Sequence, residues 1–306
     1  VVSMRIEEAT SQFLDHLLLE RGCSSATAEA YASDVRTLQE YLAEEGIEPL
    51  AEALTPIVVR RYVSWLATAG YSPATIRRRV YAISSLFKWA VNYGYAESNP
   101  CACVVLPKKQ KKMPAVLSVQ EARRVLKASE QHSNARLAFR NRAVIAIFLF
   151  CGLRRAELVG LDVDDVDLRS RWVRVRNGKG GKGRSVPLVE EAAEAVADWL
   201  EFRPEADHEA LFVGIQGERL GVGGVAKVFE KTAAKADVDR EGVSLHTLRH
   251  TFASLLLQEG CDLVSIQELL GHADLASTSI YLHMDASHLQ SAVSRHPLSE
   301  TAPAMG

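Results

Sequence analysis

The sequence predicts two domains: an α-helical N-terminal four-helix bundle, and a mainly α-helical second domain with a small antiparallel β-sheet (α+β). Four observations predict this. Apolar residues recur every three or four positions through the first hundred residues, which is the helical period. A polar, proline-punctuated stretch follows at 97–114. Beyond it, helical patterns surround two short strand-like segments, and a length of 306 residues fits about two domains.

The four N-terminal helices have recognisable ends. Residues 6–20 carry one apolar stripe, and Ser25 is predicted to cap the second helix. Thr55–Pro56 and Ser72–Pro73 each combine a capping hydroxyl with proline at the first helical position. The loops between the helices are short, so the helices are expected to form a small bundle.

The proline-rich stretch sets the predicted domain boundaries. We expect an N-terminal domain at 1–107, a linker at 108–114 and a second domain at 115–306. The linker contains Pro114 and a run of lysines, a composition typical of connections between domains.

The second domain mixes helices with one β-hairpin. Ser118 and Glu121 form a capping box, and residues 137–151 read as a buried helix. Residues 171–176 and 184–188 are predicted strands joined by a glycine-rich tip. Further helices are predicted at 189–201, 222–236, 246–259, 262–270 and 276–283.

Composition excludes several classes. Hydrophobic residues make up 47% and charged residues 24%, the balance of a soluble globular protein. No apolar run approaches the roughly 20 residues of a membrane helix, and no signal peptide is evident. The 5 cysteines are odd in number and include no CxxC pair, which disfavours disulfides and zinc. We therefore expect a cytoplasmic protein without membrane insertion.

The net charge of −2 is low for a nucleic-acid-binding protein, but binding depends on where the charge lies. Two basic clusters are candidates for DNA backbone contacts, although each alone is typical of a solvated surface. They are Arg77, Arg78 and Arg79, and Lys108, Lys109, Lys111 and Lys112.

Five short segments carry candidate catalytic residues. They are Gly152–Leu158 (GLRRAEL), Lys179 in the hairpin tip, His246–His250 (HTLRH), Leu270–His272 (LGH) and Tyr281. Taken singly, each is weak. Arg154 and Glu157 have the spacing of an ordinary ion pair on a helix surface. His246 and His250 have the spacing of the zinc motif HExxH, but Thr247 replaces its glutamate.

Together these residues suit metal-free attack on a phosphodiester. Such a reaction needs a nucleophile, cations for the charge on the phosphate oxygens, and an acid for the leaving oxygen. Arginine clamps phosphate through paired donors, lysine and histidine transfer protons, and tyrosine is both nucleophile and leaving group. The acidic run at 162–167 lacks the spacing of a calcium loop, so we expect a solvated turn.

The order GLRxxEL, hairpin lysine, HxLRH, LGH and tyrosine resembles the tyrosine recombinases, and most closely the bacterial Xer branch, which resolves chromosome dimers. Residues 72–107 resemble the end of that family's core-binding domain and its linker. The resemblance covers nearly the whole chain and implies a SAM-like core-binding domain and the tyrosine recombinase fold. Cys151 and Ala156 stand where the family often has threonine and serine.

The resemblance also implies roles around the phosphate. Arg154 and Arg249 would bind the scissile phosphate and stabilise the transition state, and His272 would hydrogen-bond to it. Tyr281 would be the nucleophile that forms a 3′-phosphotyrosyl bond.

Proton transfer and support are assigned in the same way. Lys179 would be the general acid, although Lys182 is a near neighbour. His246 would assist proton transfer with Tyr281. Glu157 would orient the active-site helices, and His250 would be supporting structure.

The implied partner is a double-stranded DNA recombination site, held by a homo- or heterotetramer on two sites. Residues 285–297 resemble a tail helix that docks on a neighbouring protomer. No metal or other cofactor is implied, and the low net charge suggests help from an accessory or activating protein.

Four alternatives stay open. A phage or mobile-element integrase shares the chemistry, although the compact N-terminal region favours the Xer branch. A type IB topoisomerase would relax DNA as a monomer. A DNA-binding regulator would have an inactive site, and a zinc hydrolase would use His246 and His250.

Overall fold

The structure is a computed structural model that describes residues 4–108, 113–176 and 183–271. Its contacts divide the chain into two compact units, Val1–Lys112 and Met113–Gly306. Within the described ranges, no helix is long and apolar enough to cross a membrane. Several predicted features lie outside the described residues: Lys109, Lys111, Lys112, Lys179, Lys182, His272, Tyr281, the helix at 276–283 and the tail at 285–297.

The first unit contains the predicted helices. They are α1 (Ile6–Asp15), which continues as a π-helical segment (His16–Glu20), α2 (Ser25–Glu44), α3 (Pro56–Thr68) and α4 (Pro73–Asn92). The hydroxyls of Thr55 and Ser72 cap α3 and α4, which confirms those predictions. The prediction for α2 was one residue off: Ser24, not Ser25, accepts the hydrogen bond from the Thr27 N–H. The apolar faces of these helices enclose one core that includes Leu38, Ile83 and Leu86.

The second unit combines helices with one small sheet. Its elements are α5 (Val119–Ser129), α6 (Ala135–Cys151), α7 (Arg155–Val159), β1 (Val166–Asp167), β2 (Trp172–Val175), β3 (Arg184–Pro187), α8 (Glu190–Phe202), α9 (Val222–Lys235), α10 (Leu245–Gln258) and α11 (Leu263–Leu270). The strands pair antiparallel in the order β1-β2-β3, with Val173 opposite Val186. The predicted hairpin and the α5 capping box are confirmed. The sequence did not reveal α7 or β1, which are too short to show a period.

Helix α6 lies at the centre of the second unit. Other helices therefore bury both the polar and the apolar sides of its sequence. It packs against α5, α8 and α10. Residues Ala143–Phe148 are all buried. The helix ends at the buried Gly152, which begins the GLRRAEL segment of candidate catalytic residues.

The acidic run at 162–167 is only partly the solvated turn that we expected: Asp164 and Asp167 are exposed, but the other two aspartates are paired with arginines. Asp165 is buried, and its carboxylate lies 2.6 Å from Arg176 Nε. Asp162 accepts a hydrogen bond of 2.6 Å from Arg219. The expectation was wrong for Asp162 and Asp165 because their arginine partners come from distant positions, which local patterns do not show.

Candidate active site

The buried carboxylate of Glu157 is the centre of the candidate active site. Glu157 occupies the third position of α7, and its side chain is 3% exposed. Its Oε2 accepts a hydrogen bond of 2.7 Å from the Arg154 backbone N–H, which caps the helix. Its Oε1 accepts one of 2.6 Å from Arg154 Nη1. Both oxygens also accept hydrogen bonds of 2.9 Å from the Arg184 guanidinium.

Arg154 is therefore part of a helix cap, and not the surface ion pair that its spacing with Glu157 suggests. It precedes α7 in extended conformation. Its Nη2 donates a hydrogen bond of 2.7 Å to the Gly271 carbonyl, at the end of α11. A guanidinium carries five N–H donors. The side chain is 24% exposed, so it can present further donors to an anion.

Arg249 comes from α10 and is more deeply buried. Its Nη1 donates a hydrogen bond of 2.5 Å to the Gly152 carbonyl, and its Nη2 one of 2.7 Å to the Leu270 carbonyl. Nη1 also lies 3.9 Å from Glu157 Oε2. Arg249 thus joins the C-terminal ends of α6 and α11 beside the same carboxylate.

Arg184 is the residue that the sequence analysis missed. It is the first residue of β3, and its Nε donates a hydrogen bond of 2.7 Å to the Leu269 carbonyl. One signal could have indicated it. Alternate residues of a strand share a face, so Arg184 lies on the same face as the buried Val186. A charged residue on a buried face needs a partner.

Two glycines allow the helix ends to approach these arginines. Gly152 and Gly271 both have positive φ, +60° and +63°, which glycine adopts without strain. A Cβ on Gly152 would lie 2.3 Å from the Phe252 ring. A Cβ on Gly271 would lie 2.9 Å from Arg184 Nη1. The glycines of the GLR and LGH motifs are therefore required by both backbone conformation and space.

The charges around Glu157 leave a positive site. Burial by itself raises the pKa of Glu157, but hydrogen bonds and charge from Arg184 and Arg154 outweigh it and lower the pKa to about 2. Glu157 is therefore ionised at neutral pH. One carboxylate faces three guanidinium groups, those of Arg154, Arg184 and Arg249, so a positive charge remains for an anionic ligand.

Two histidines of α10 lie beside this cluster, and both favour the neutral form. Partial desolvation and the positive charges of Arg155, Arg249 and Arg154 lower the pKa of exposed His246. Burial, then His246 and Arg249, lower the pKa of His250 to about 4. A neutral imidazole can accept a proton.

A metal centre finds no support in the described ranges. There, no group of three or more His, Cys, Asp or Glu side chains is placed to hold an ion. The arginine charges near His246 also disfavour a cation.

The basic clusters of the first unit differ in their exposure. Arg78 is 53% exposed and hydrogen-bonds to Asp34 at 2.5 Å. Arg79 is 12% exposed, and its guanidinium lies 4.0 Å from the Tyr71 ring centroid. Arg77 donates hydrogen bonds to the Tyr81 hydroxyl and the Pro107 carbonyl. Lys108 is exposed.

The structure thus brings Arg154, Glu157 and Arg249 together. His246 and His250 lie on the same helix as Arg249, within electrostatic range of the cluster. The other predicted catalytic residues lie outside the described residues, as stated above.

Comparison with known proteins identifies the family of this chain. The phage integrase family matches residues 115–288, and the phage integrase N-terminal SAM-like domain matches residues 10–94. The chain is 37% identical to tyrosine recombinase XerC of Thermodesulfovibrio yellowstonii, across 95% of this chain and 96% of that protein.

Solved structures show the same fold. XerH recombinase bound to palindromic difH substrate, in a post-cleavage complex, is 26% identical with a TM-score of 0.73, over 93% of this chain and 84% of that one. The Tn1549 transposon integrase in complex with transposon right end DNA is 19% identical with a TM-score of 0.77, over 95% and 99%. At that identity the likeness concerns the fold alone.

The chain therefore belongs to the phage integrase family of tyrosine recombinases, enzymes that cleave and rejoin DNA at specific sites. Its full-length similarity to XerC proteins places it on the Xer branch. The predicted family, its SAM-like N-terminal domain and its fold are confirmed.

Gly152→Ala should destabilise the protein more than Gly94→Ala. Gly94 also has positive φ, +77°, but a Cβ there meets nothing within 4 Å. Both variants incur backbone strain of roughly 1–3 kcal/mol, and only Gly152→Ala adds the clash with Phe252. Urea denaturation of the two variants measures the difference. Equal losses would show that Phe252 gives way without cost.

The free energy of unfolding should decrease in acid as Glu157 becomes protonated. Its folded-state pKa of about 2 lies below the ordinary value of 4.5, so its contribution is complete above about pH 5 and is lost as the pH falls toward 2. The difference in unfolding free energy between wild type and Glu157→Gln should shrink by about 3 kcal/mol over that range. Denaturant titrations at several pH values measure it.

A matched control is Glu190→Gln, because Glu190 forms an ion pair with Arg171 in which both side chains are largely exposed. Solvent screens such a pair, so Glu190→Gln should change the unfolding free energy only slightly across the same pH range. A difference for Glu157→Gln that stays constant with pH would contradict the shifted pKa.

Proposed function

We propose that this protein exchanges DNA strands through a 3′-phosphotyrosyl intermediate on Tyr281, and that it resolves chromosome dimers. The observation that carries the chemistry is the joint anchoring of Arg154 and Arg249 beside the ionised Glu157. Two arginines fixed within one buried network are prearranged to receive a phosphate.

Catalysis on this proposal begins with charge stabilisation. Arg154 and Arg249 bind the non-bridging oxygens of the scissile phosphate, where negative charge increases in the transition state. Both guanidiniums are already held by carbonyl oxygens, so little reorganisation is needed when DNA binds. His272 donates a further hydrogen bond to the phosphate.

The proposal also assigns the proton transfers. Tyr281 gives its phenolic proton toward neutral His246 and attacks phosphorus, and Lys179 protonates the departing 5′ oxygen. A partner strand's 5′-hydroxyl then attacks the phosphotyrosyl bond, and the phenol recovers a proton. One phosphoester bond replaces another at each step, so no external energy source is required.

The remaining residues support this chemistry. Glu157 orients both arginines and the start of α7, and His250, one turn after His246 on α10, is supporting structure. Lys182, near Lys179 in the sequence, is the residue to test beside it as general acid.

DNA is the proposed partner, since the similar XerH recombinase was solved bound to its difH substrate. Arg77, Arg78 and Lys108–Lys112 would contact the backbone, which sets position more than sequence choice. Arg79, paired with Asp34 and Tyr71, would contribute through support of Arg78. We propose a homo- or heterotetramer on two sites, with an accessory protein that compensates for the net charge of −2.

We infer the chromosomal role from the similarity to proteins named XerC, one of which matches 95% of this chain. Mapping the DNA bound in the host cell tests it. One locus near the replication terminus supports dimer resolution, whereas the ends of a mobile element would replace it with integration.

Tyr281→Phe should bind the recombination site normally and form no covalent adduct. The hydroxyl is the nucleophile, and its loss leaves the arginines in place. A nicked suicide substrate, which traps the adduct, and a gel-shift assay measure the two properties. An adduct of undiminished yield in the variant would move the nucleophile elsewhere.

Cleavage should persist into mildly acidic solution. The pKa of His246 is lowered, so the neutral base is kept below the pH at which an ordinary histidine gains its proton. Single-turnover adduct rates between pH 5 and 8 should therefore fall toward acid with a midpoint below the ordinary histidine pKa of about 6.5. The acid limb should vanish in His246→Gln, and an unaltered limb in that variant would exclude His246 as the base.

A further inference from the structure

We propose that Arg184 is a positioning residue for the strand-exchange reaction. It hydrogen-bonds to both oxygens of Glu157, so that Arg154 keeps donors available for the phosphate. This inference rests on the function proposed above, since it assumes that Arg154 binds the scissile phosphate. It assigns a role to a residue outside the five sequence motifs.

Each of the three guanidinium nitrogens of Arg184 donates a hydrogen bond to the protein. Nη1 and Nη2 each donate a hydrogen bond of 2.9 Å to a different oxygen of Glu157, and Nε donates one of 2.7 Å to the Leu269 carbonyl. The side chain is 10% exposed. Both Nη groups are held by Glu157 and Nε is held by the Leu269 carbonyl, so we expect Arg184 to act on the reaction through these neighbours.

Arg154 differs in how it contacts the same carboxylate. It places one guanidinium nitrogen, Nη1, on Glu157, at 2.6 Å, and it is 24% exposed. Carboxylates favour paired contacts with a guanidinium. Because the fork of Arg184 takes that paired arrangement, Arg154 is limited to a single side-chain contact and keeps donors for the phosphate.

Loss of Arg184 would change this balance in two ways. Glu157 would be left with an uncompensated share of buried charge and would draw Arg154 into a paired contact. The Leu269 carbonyl would also lose the hydrogen bond from Arg184. Leu269 lies two residues before Gly271, whose carbonyl Arg154 contacts. Both changes withdraw Arg154 from the phosphate, and neither removes a group that touches DNA.

The test compares Arg184→Met and Arg184→Lys with Arg171→Met in the full-length protein. Arg171 precedes β2 and forms an exposed ion pair of 3.0 Å with Glu190, so it is a matched arginine outside the site. The single-turnover rate of adduct formation on a nicked suicide substrate is measured at saturating DNA, and affinity for the same DNA is measured separately.

We expect Arg184→Met to lower the rate about a hundredfold and to leave affinity within about threefold of wild type. Arg184→Lys should recover only part of the rate, because an ammonium group lacks the fork. Arg171→Met should match wild type in both measurements. A rate for Arg184→Met equal to that of wild type would overturn the proposal, as would a loss confined to affinity.

A double variant separates positioning from general damage to the fold. In Arg184→Met/Glu157→Gln, the neutral amide no longer attracts Arg154 strongly. The rate should therefore rise about tenfold above that of Arg184→Met alone. A purely structural role predicts a further loss, and that result would overturn the proposal. If wild type itself forms no adduct, the proposed function fails; if wild type forms one and the rescue is absent, only the role of Arg184 fails.

Discussion

The arrangement of the three arginines in the candidate active site depends on one buried negative charge, the carboxylate of Glu157. Like charges repel strongly where water is excluded, so an anion among Arg154, Arg184 and Arg249 offsets their mutual repulsion. Glu157 supplies that anion and also caps α7 through the Arg154 backbone N–H. One side chain thus begins a helix and gathers the cations of the site.

The ends of two helices complete this network. The carbonyls of Gly152, Leu269, Leu270 and Gly271 accept hydrogen bonds from the three arginines. Helix C-termini leave carbonyls without intrahelical partners and carry partial negative charge, so cations are stabilised there. The arginines therefore join α6, α10, α11 and β3, elements that lie far apart in the chain. Fold and site depend on the same bonds.

Several parts of this picture could be predicted from the sequence. The helix caps at Thr55, Ser72 and Ser118 and the hairpin were recognised because they depend on neighbouring residues. The order of the motifs indicated the family. In contrast, the burial of Asp165 and the part played by Arg184 depend on contacts with residues distant in sequence. The short helix α7 offered too few residues for a period.

The sequence by itself determined which chemical groups are present, where most helices begin and end, and the family to which the chain belongs. Only the tertiary structure decided how the charges are shared. Spacing made Arg154 and Glu157 look like a surface pair, whereas the fold buries the carboxylate and adds Arg184 and Arg249 from other elements. The physical reason is that local patterns record hydrogen bonds within a few residues. The ionisation of a buried group depends on every charge that the fold brings near it.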